Sequence, residues 1–155
     1  GLVAIVGIIF MIRTNNIQIG TSINKCDDII SLNKVREITS NNSLEVKTEL
    51  LQTNSGDKTT SLFCAYNEGM MPHTTIVLFW GEKIASKYDS VKKAYMPNTP
   101  VSNIGHDAFW WSGGLNFLSS EQKYYSVVGV TLAPNQDSEK LRMSTELAKA
   151  IDEGL

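Results

Sequence analysis

The chain has little of what usually marks chemistry in a sequence. Its 155 residues include two cysteines, two histidines and four prolines. No CxxC pair is present, and His73 and His106 stand at no ligand spacing to Cys26 or Cys64, so no metal site is expected. Positive charge is not in excess: 14 Lys and Arg face 16 Asp and Glu, for a formal net charge of -2. A nucleic-acid partner, which calls for a basic patch against phosphates, is therefore not expected. Runs of like charge are missing too, and with them any acidic or basic tail. Gly105 and Gly113-Gly114 lack the strand–GxGxxG–helix setting of a phosphate loop, and "GEKIASKYDS" holds no GxSxG elbow and no SxxK. No cofactor is expected.

What the chain does have begins at its first residue. "GLVAIVGIIFMI" (Gly1–Ile12) carries no charge and gives way abruptly to Arg13-Thr14-Asn15-Asn16. It is shorter than the about 20 apolar residues that span a bilayer. Since the sequence opens on Gly rather than Met, the rest of a span is expected upstream. An uncleaved N-terminal membrane anchor over residues 1–13 fits best. A signal-peptide remnant lacks its small-x-small cleavage site, and a core element would show polar periodicity. Residues 14–25, rich in Asn, Ser and Thr, read as a polar linker, and residues 26–155 as an extracytoplasmic domain. That length supports one domain with a real hydrophobic core.

On the far side of a membrane, Cys26 and Cys64 are expected to form one disulfide, closing a loop worth about 4 kcal/mol in chain entropy. Buried free thiols and a Cys–His catalytic pair are the alternatives.

The periodicities then order the domain. "CDDIISLNKVREIT" spaces Ile29, Leu32, Val35 and Ile38 by threes, which predicts an amphipathic helix capped by Asp27, Asp28 or Ser31. "LEVKTELLQ" sets Leu44, Val46, Thr48 and Leu50 against Glu45, Lys47 and Glu49, a half-exposed strand. "TTSLFCAY" and "TTIVLFW" predict two more strands, and the short links between the three imply an antiparallel meander. Ile84, Tyr88, Val91 and Tyr95 make one helical stripe. "LNFLSS" and "YYSVVGVTL" read as a strand pair. The closing helix is capped by Asp137 or Ser138, buries Leu141, Leu147, Ala148 and Ile151, and stops at Gly154. Helix, three strands, helix, two strands, helix is an α+β order: an antiparallel sheet of about five strands covered by helices.

"GHDAFWWSGGLNF" (Gly105–Phe117) holds two of the three tryptophans and one histidine. His106 and Asp107 invite a general-base reading, but neighbours on a strand point to opposite faces and cannot readily orient each other. Catalysis therefore ranks last here. In an extended chain Phe109 and Trp111 share one face and Trp110 takes the other, so burying both faces needs a second layer or a partner. A corner of the core is favoured, and a binding surface comes next.

A Cys-Asp that opens a short helix, "CAY" within a strand, "IGHDAFWW", the "YYSVVGVTL" strand and a closing "ELAKAI" helix together resemble small secreted domains of unknown function. Such domains occur in many bacterial lipoproteins, especially actinobacterial ones, and resemble a PsbP/Mog1-type α/β sandwich. The resemblance covers roughly Cys26 to Leu155. It implies an exported, disulfide-pinned sandwich with no known catalytic centre. The chain departs from it in showing an apolar N-terminal segment in place of a lipid-modified cysteine.

The expected function is a non-catalytic, membrane-anchored extracytoplasmic binding or accessory protein, not an enzyme. It would act as a subunit of a membrane or envelope complex, with a protein partner. Trp80, His106, Phe109, Trp110 and Trp111 are the interface or pocket candidates. The alternative is a small-ligand-binding domain whose aromatic pocket those tryptophans line. A small enzyme using His106 comes last.

Overall fold

The computed structural model describes residues 23–155, so the apolar segment and linker residues 14–22 lie outside the described residues. A 3-10 turn at Cys26–Asp28 leads into α1 (Leu32–Thr39). Strands β1 (Leu44–Asn54), β2 (Thr59–Glu68) and β3 (Met71–Gly81) follow, then α2 (Ile84–Ala94). Four more strands, β4 (Thr99–Pro100), β5 (Asp107–Trp111), β6 (Gly114–Leu118) and β7 (Tyr124–Val130), precede α3 (Asp137–Gly154). The strands form one antiparallel sheet in the order β1-β2-β3-β7-β6-β5-β4. Two meanders, β1–β3 and β4–β7, are thus zipped together along β3 and β7, and α2 carries the chain between them.

The α+β class and the antiparallel sheet under helices are as expected, but the sheet has seven strands rather than about five. The additions are the short ones. β5 is the "DAFWW" segment, folded onto β6 by a turn at Ser112-Gly113 that sets Trp111 opposite Gly114. β4 is two residues that pair only with β5. β4 is too short to show a period-two pattern, and in β5 the consecutive Ala108, Phe109, Trp110 and Trp111 are apolar on both faces, so no polar alternation marks it as a strand.

Helices cover both faces. Val35 and Ile38 of α1 and Leu147, Ala148 and Ile151 of α3 pack with Leu62, Cys64, Tyr66, Ile76, Leu78 and Val128 in the larger core. On the other face Ile84 and Tyr88 of α2 close over Phe109, Leu118 and Tyr125, with Val91 and Tyr95 at the margin. The alternation of β2 and β3 makes this possible: even-numbered residues face the α1/α3 pair, and odd-numbered ones face α2.

The first helix is shorter than its periodicity suggests. Asp28 accepts the amides of Asn24 (2.9 Å) and Lys25 (3.0 Å), and Asp27 accepts that of Leu32 (3.1 Å). These bonds hold a tight turn, and the helix proper restarts at Ser31, whose hydroxyl caps Lys34 N at 3.2 Å. The amide bonds, that of Asn24 first, hold the Asp28 carboxyl below its ordinary range. The long helix α3 is preceded by Gln136 and has no side-chain cap. Of the residues expected on its buried side, Leu141 is only half-buried, while Met143 and Ser144 join the buried set. Ile23, at the end of the polar stretch, packs into the larger core.

Candidate functional site

Cys26 and Cys64 are joined in a disulfide, with Cα atoms 5.8 Å apart. The bond removes the free-thiol and Cys–His readings, and both residues are buried. A neighbouring contact explains how the turn at Cys26 is held. β1 has a bulge at Lys47, between Val46 opposite Tyr66 and Thr48 opposite Ala65. The extra residue reverses the alternation, so Glu49, opposite Cys64, joins Val46 on the α1/α3 face. There its carboxylate accepts the Cys26 amide at 2.6 Å. The sequence pattern put Glu49 opposite to Leu44 and Val46, and the bulge overturns that expectation.

The aromatic corner is divided by the sheet. Phe109 is fully buried under α2, its ring 5.7 Å from that of Tyr88. Trp111, on the same face, stacks on Tyr95 at 4.1 Å and remains 38% exposed. Trp110 and Trp80 pack in the α1/α3 core, on the other side. The second layer that burial of both faces requires is α2. Trp80, Trp110 and Trp111 therefore line no common pocket.

His106 is exposed in the turn before β5, and its amide donates to Leu118 O at 2.8 Å. Gly105 before it has φ +55, and a Cβ there would collide with that same carbonyl, so glycine is required for the turn to close. Asp107 turns to Lys92 at 2.6 Å rather than to His106. Beside it, burial pushes the Tyr88 hydroxyl well above its ordinary range, and the charge of Asp107 adds to the shift. His73 is half-buried on β3, its Nδ1 2.8 Å from Thr74 Oγ1, and β7 and β6 separate that strand from β5. The structure does not assemble the two histidines into one site. Among the described residues no cluster of His, Cys, Asp and Glu is arranged to hold a metal ion, and no helix is long and apolar enough to cross a membrane.

Two surface features stand out instead. The first is the edge of β1, which is exposed along its whole length after Leu44. Leu50 (46% exposed) points to the α2 side and Leu51 (44%) to the α1/α3 side. Lys47 and its bulge interrupt the first half of this edge, but "LLQTN" (Leu50–Asn54) has neither charge nor proline. The opposite edge of the sheet is only Thr99-Pro100. The second feature is a groove of about 690 Å³ on the α2 side, lined by Gln52, Ser61, Phe79, Tyr125, Asp57 and Lys87 among others. Sequence reading found neither feature as a site. The alternation of "TTSLFCAY" and "TTIVLFW" does place Ser61 and Phe79 away from Leu62 and Trp80, but nothing local shows that α2 stops short of them.

In comparison with known proteins, no family model, no curated protein and no solved structure matches this chain significantly.

Proposed function

We propose that the chain is a non-catalytic, extracytoplasmic binding or accessory protein, held at a membrane by its apolar N-terminal segment and serving as a subunit of a membrane or envelope complex. The observation that carries the binding half of this reading is the open edge of β1. Folded proteins protect long edges with charge, proline, bulges or brevity, and the other edge of this sheet, two residues with Pro100, is protected in that way. The half of β1 from Leu50 to Asn54 is not. A partner that adds a strand there gains backbone hydrogen bonds and covers Leu50 and Leu51 on the two faces. The disulfide supports the location, since such bridges persist in oxidising compartments outside the cytoplasm. The motifs that resemble small secreted bacterial domains point the same way.

The test is recovery of the tagged full-length protein from native membranes in mild detergent, with stoichiometry by mass spectrometry. A stoichiometric membrane partner should be retained by the wild type. It should be lost from the Leu50→Lys/Leu51→Lys variant, whose thermal unfolding should be close to unchanged because both side chains are exposed. A protein that comes out alone, or a partner that the variant keeps, refutes the reading.

A further inference from the structure

The groove on the α2 side is built on cross-strand rows. Gln52, Ser61, Phe79 and Tyr125 are register partners on β1, β2, β3 and β7, and form a line from the open edge to the flank of α2. Asn54 and Thr59 form the next row. The β1–β2 turn, with Ser55 and Asp57, and Lys87 from α2 close the end.

Its chemistry excludes most ligand classes by charge. The lining carries one carboxylate and one ammonium, and these pair with each other: Lys87 Nζ lies 2.6 Å from Asp57 Oδ2 and also donates to the Thr59 hydroxyl. That contact holds the Asp57 carboxyl below its ordinary range. Neither charge is left over for an ionic ligand. The aromatic part is equally specific. The rings of Phe79 and Tyr125 stack at 4.5 Å with planes 16° apart, so one face of Phe79 is taken. Its other face looks along the row over Ser61, the smallest side chain of that row, towards Gln52. The result is a slot with an aromatic wall on one side and an amide on the other. Its floor is a hydroxyl, and its end is an ion pair whose carboxylate oxygens can still accept. Gln52 and Ser61 make no side-chain hydrogen bond among the described residues, and so have capacity to spare. The volume lies within the about 300–1,000 Å³ of small-molecule sites.

We propose that this groove binds a neutral saccharide, with a C–H face of the sugar ring against Phe79 and its hydroxyls on Gln52, Ser61 and the Asp57–Lys87 pair. A flat apolar patch beside closely spaced hydroxyls is the ligand surface that an aromatic face next to amide and carboxylate groups complements. The site lies on the sheet face rather than on the backbone edge of β1, and it stands whether or not that edge takes a protein partner.

The experiment is titration of the isotope-labelled full-length protein with glucose, galactose, N-acetylglucosamine and maltose, following backbone amide shifts by NMR. Sodium phosphate is the ionic control. Saturable shifts at residues 52, 61, 79, 87 and 125 are expected with at least one saccharide. Ser61→Leu, which fills the slot on an open face, should weaken that binding about tenfold or more with the rest of the spectrum unchanged. Gln52→Ala, at an exposed position, should weaken it severalfold and serves if the leucine variant does not fold. Absence of saturable shifts with all four sugars overturns the proposal, as do shifts confined to other residues or binding that both variants retain. Phosphate shifts at Lys87 without saccharide shifts overturn it in favour of an anion site.

Discussion

Removing the Cys26–Cys64 bridge should cost about 4 kcal/mol, and most of that cost should arise in the unfolded chain. The two residues are 38 apart in sequence. A cross-link over such a loop removes about 13 cal/mol/K of denatured-state entropy, or about 4 kcal/mol at 25 °C. Both residues are buried, so serine at these sites would add unsatisfied hydroxyls to the core and confuse the measurement. The clean comparison is the oxidised protein against the same protein reduced, with Cys26→Ala/Cys64→Ala as a check. In urea, with a slope of about 2 kcal/mol per molar, the midpoint should fall by about 2 M. The slope itself should rise, because the unlinked chain exposes more surface on unfolding. The melting temperature should fall by about 8–16 °C. A loss below about 1 kcal/mol, or an unchanged slope with the full loss, would show that the bridge does not act through the unfolded chain.

Three further outcomes follow from the same geometry. Phe109→Ala, fully buried against Tyr88, should destabilise by about 3–5 kcal/mol, whereas Trp111→Ala, at an exposed stack on Tyr95, should cost about 1 kcal/mol. Equal losses in chemical denaturation would contradict the division of this corner by the sheet. Gly105→Ala should cost about 2 kcal/mol or more, because the new Cβ meets Leu118 O and the backbone there has positive φ. His73 is held below its ordinary pKa by burial, only partly offset by the charge of Glu68. The native state therefore binds a proton less readily than the unfolded chain. Its contribution is complete above the unfolded value of about 6.5 and is lost as pH falls from there through the folded value. His73→Gln should flatten the stability profile in that window, and an unchanged profile would rule His73 out as the source.

Much of the architecture is local information, and for that reason it was legible. The stripe Ile84, Tyr88, Val91 and Tyr95 defines α2 from within one segment, and the alternation of "TTSLFCAY" and "TTIVLFW" defines β2 and β3. With only two cysteines in the chain, the disulfide had one possible intramolecular pairing. The split of Phe109 and Trp111 from Trp110 also follows from strand periodicity alone. What covers each face did not follow. Only the docking of α2 over β5, β6 and β7 turned Phe109 into core and left Trp111 half out in a stack.

The misread parts have the same cause. A bulge at Lys47 is a property of how β1 pairs with β2, not of β1, and it moves Glu49 to the face where Cys26 needs an acceptor. β4 exists because β5 lies beside it. The groove joins residues 52, 61, 79 and 125, which are distant in sequence and adjacent only through register. The sequence by itself determined α2, α3 and the longer strands, and within an unbulged strand which side chains share a face, since those depend on neighbours within a few residues. The tertiary structure alone decided which faces are covered, which edge stays open and which distant side chains meet, because these are set by pairing between strands and by where one helix comes to rest.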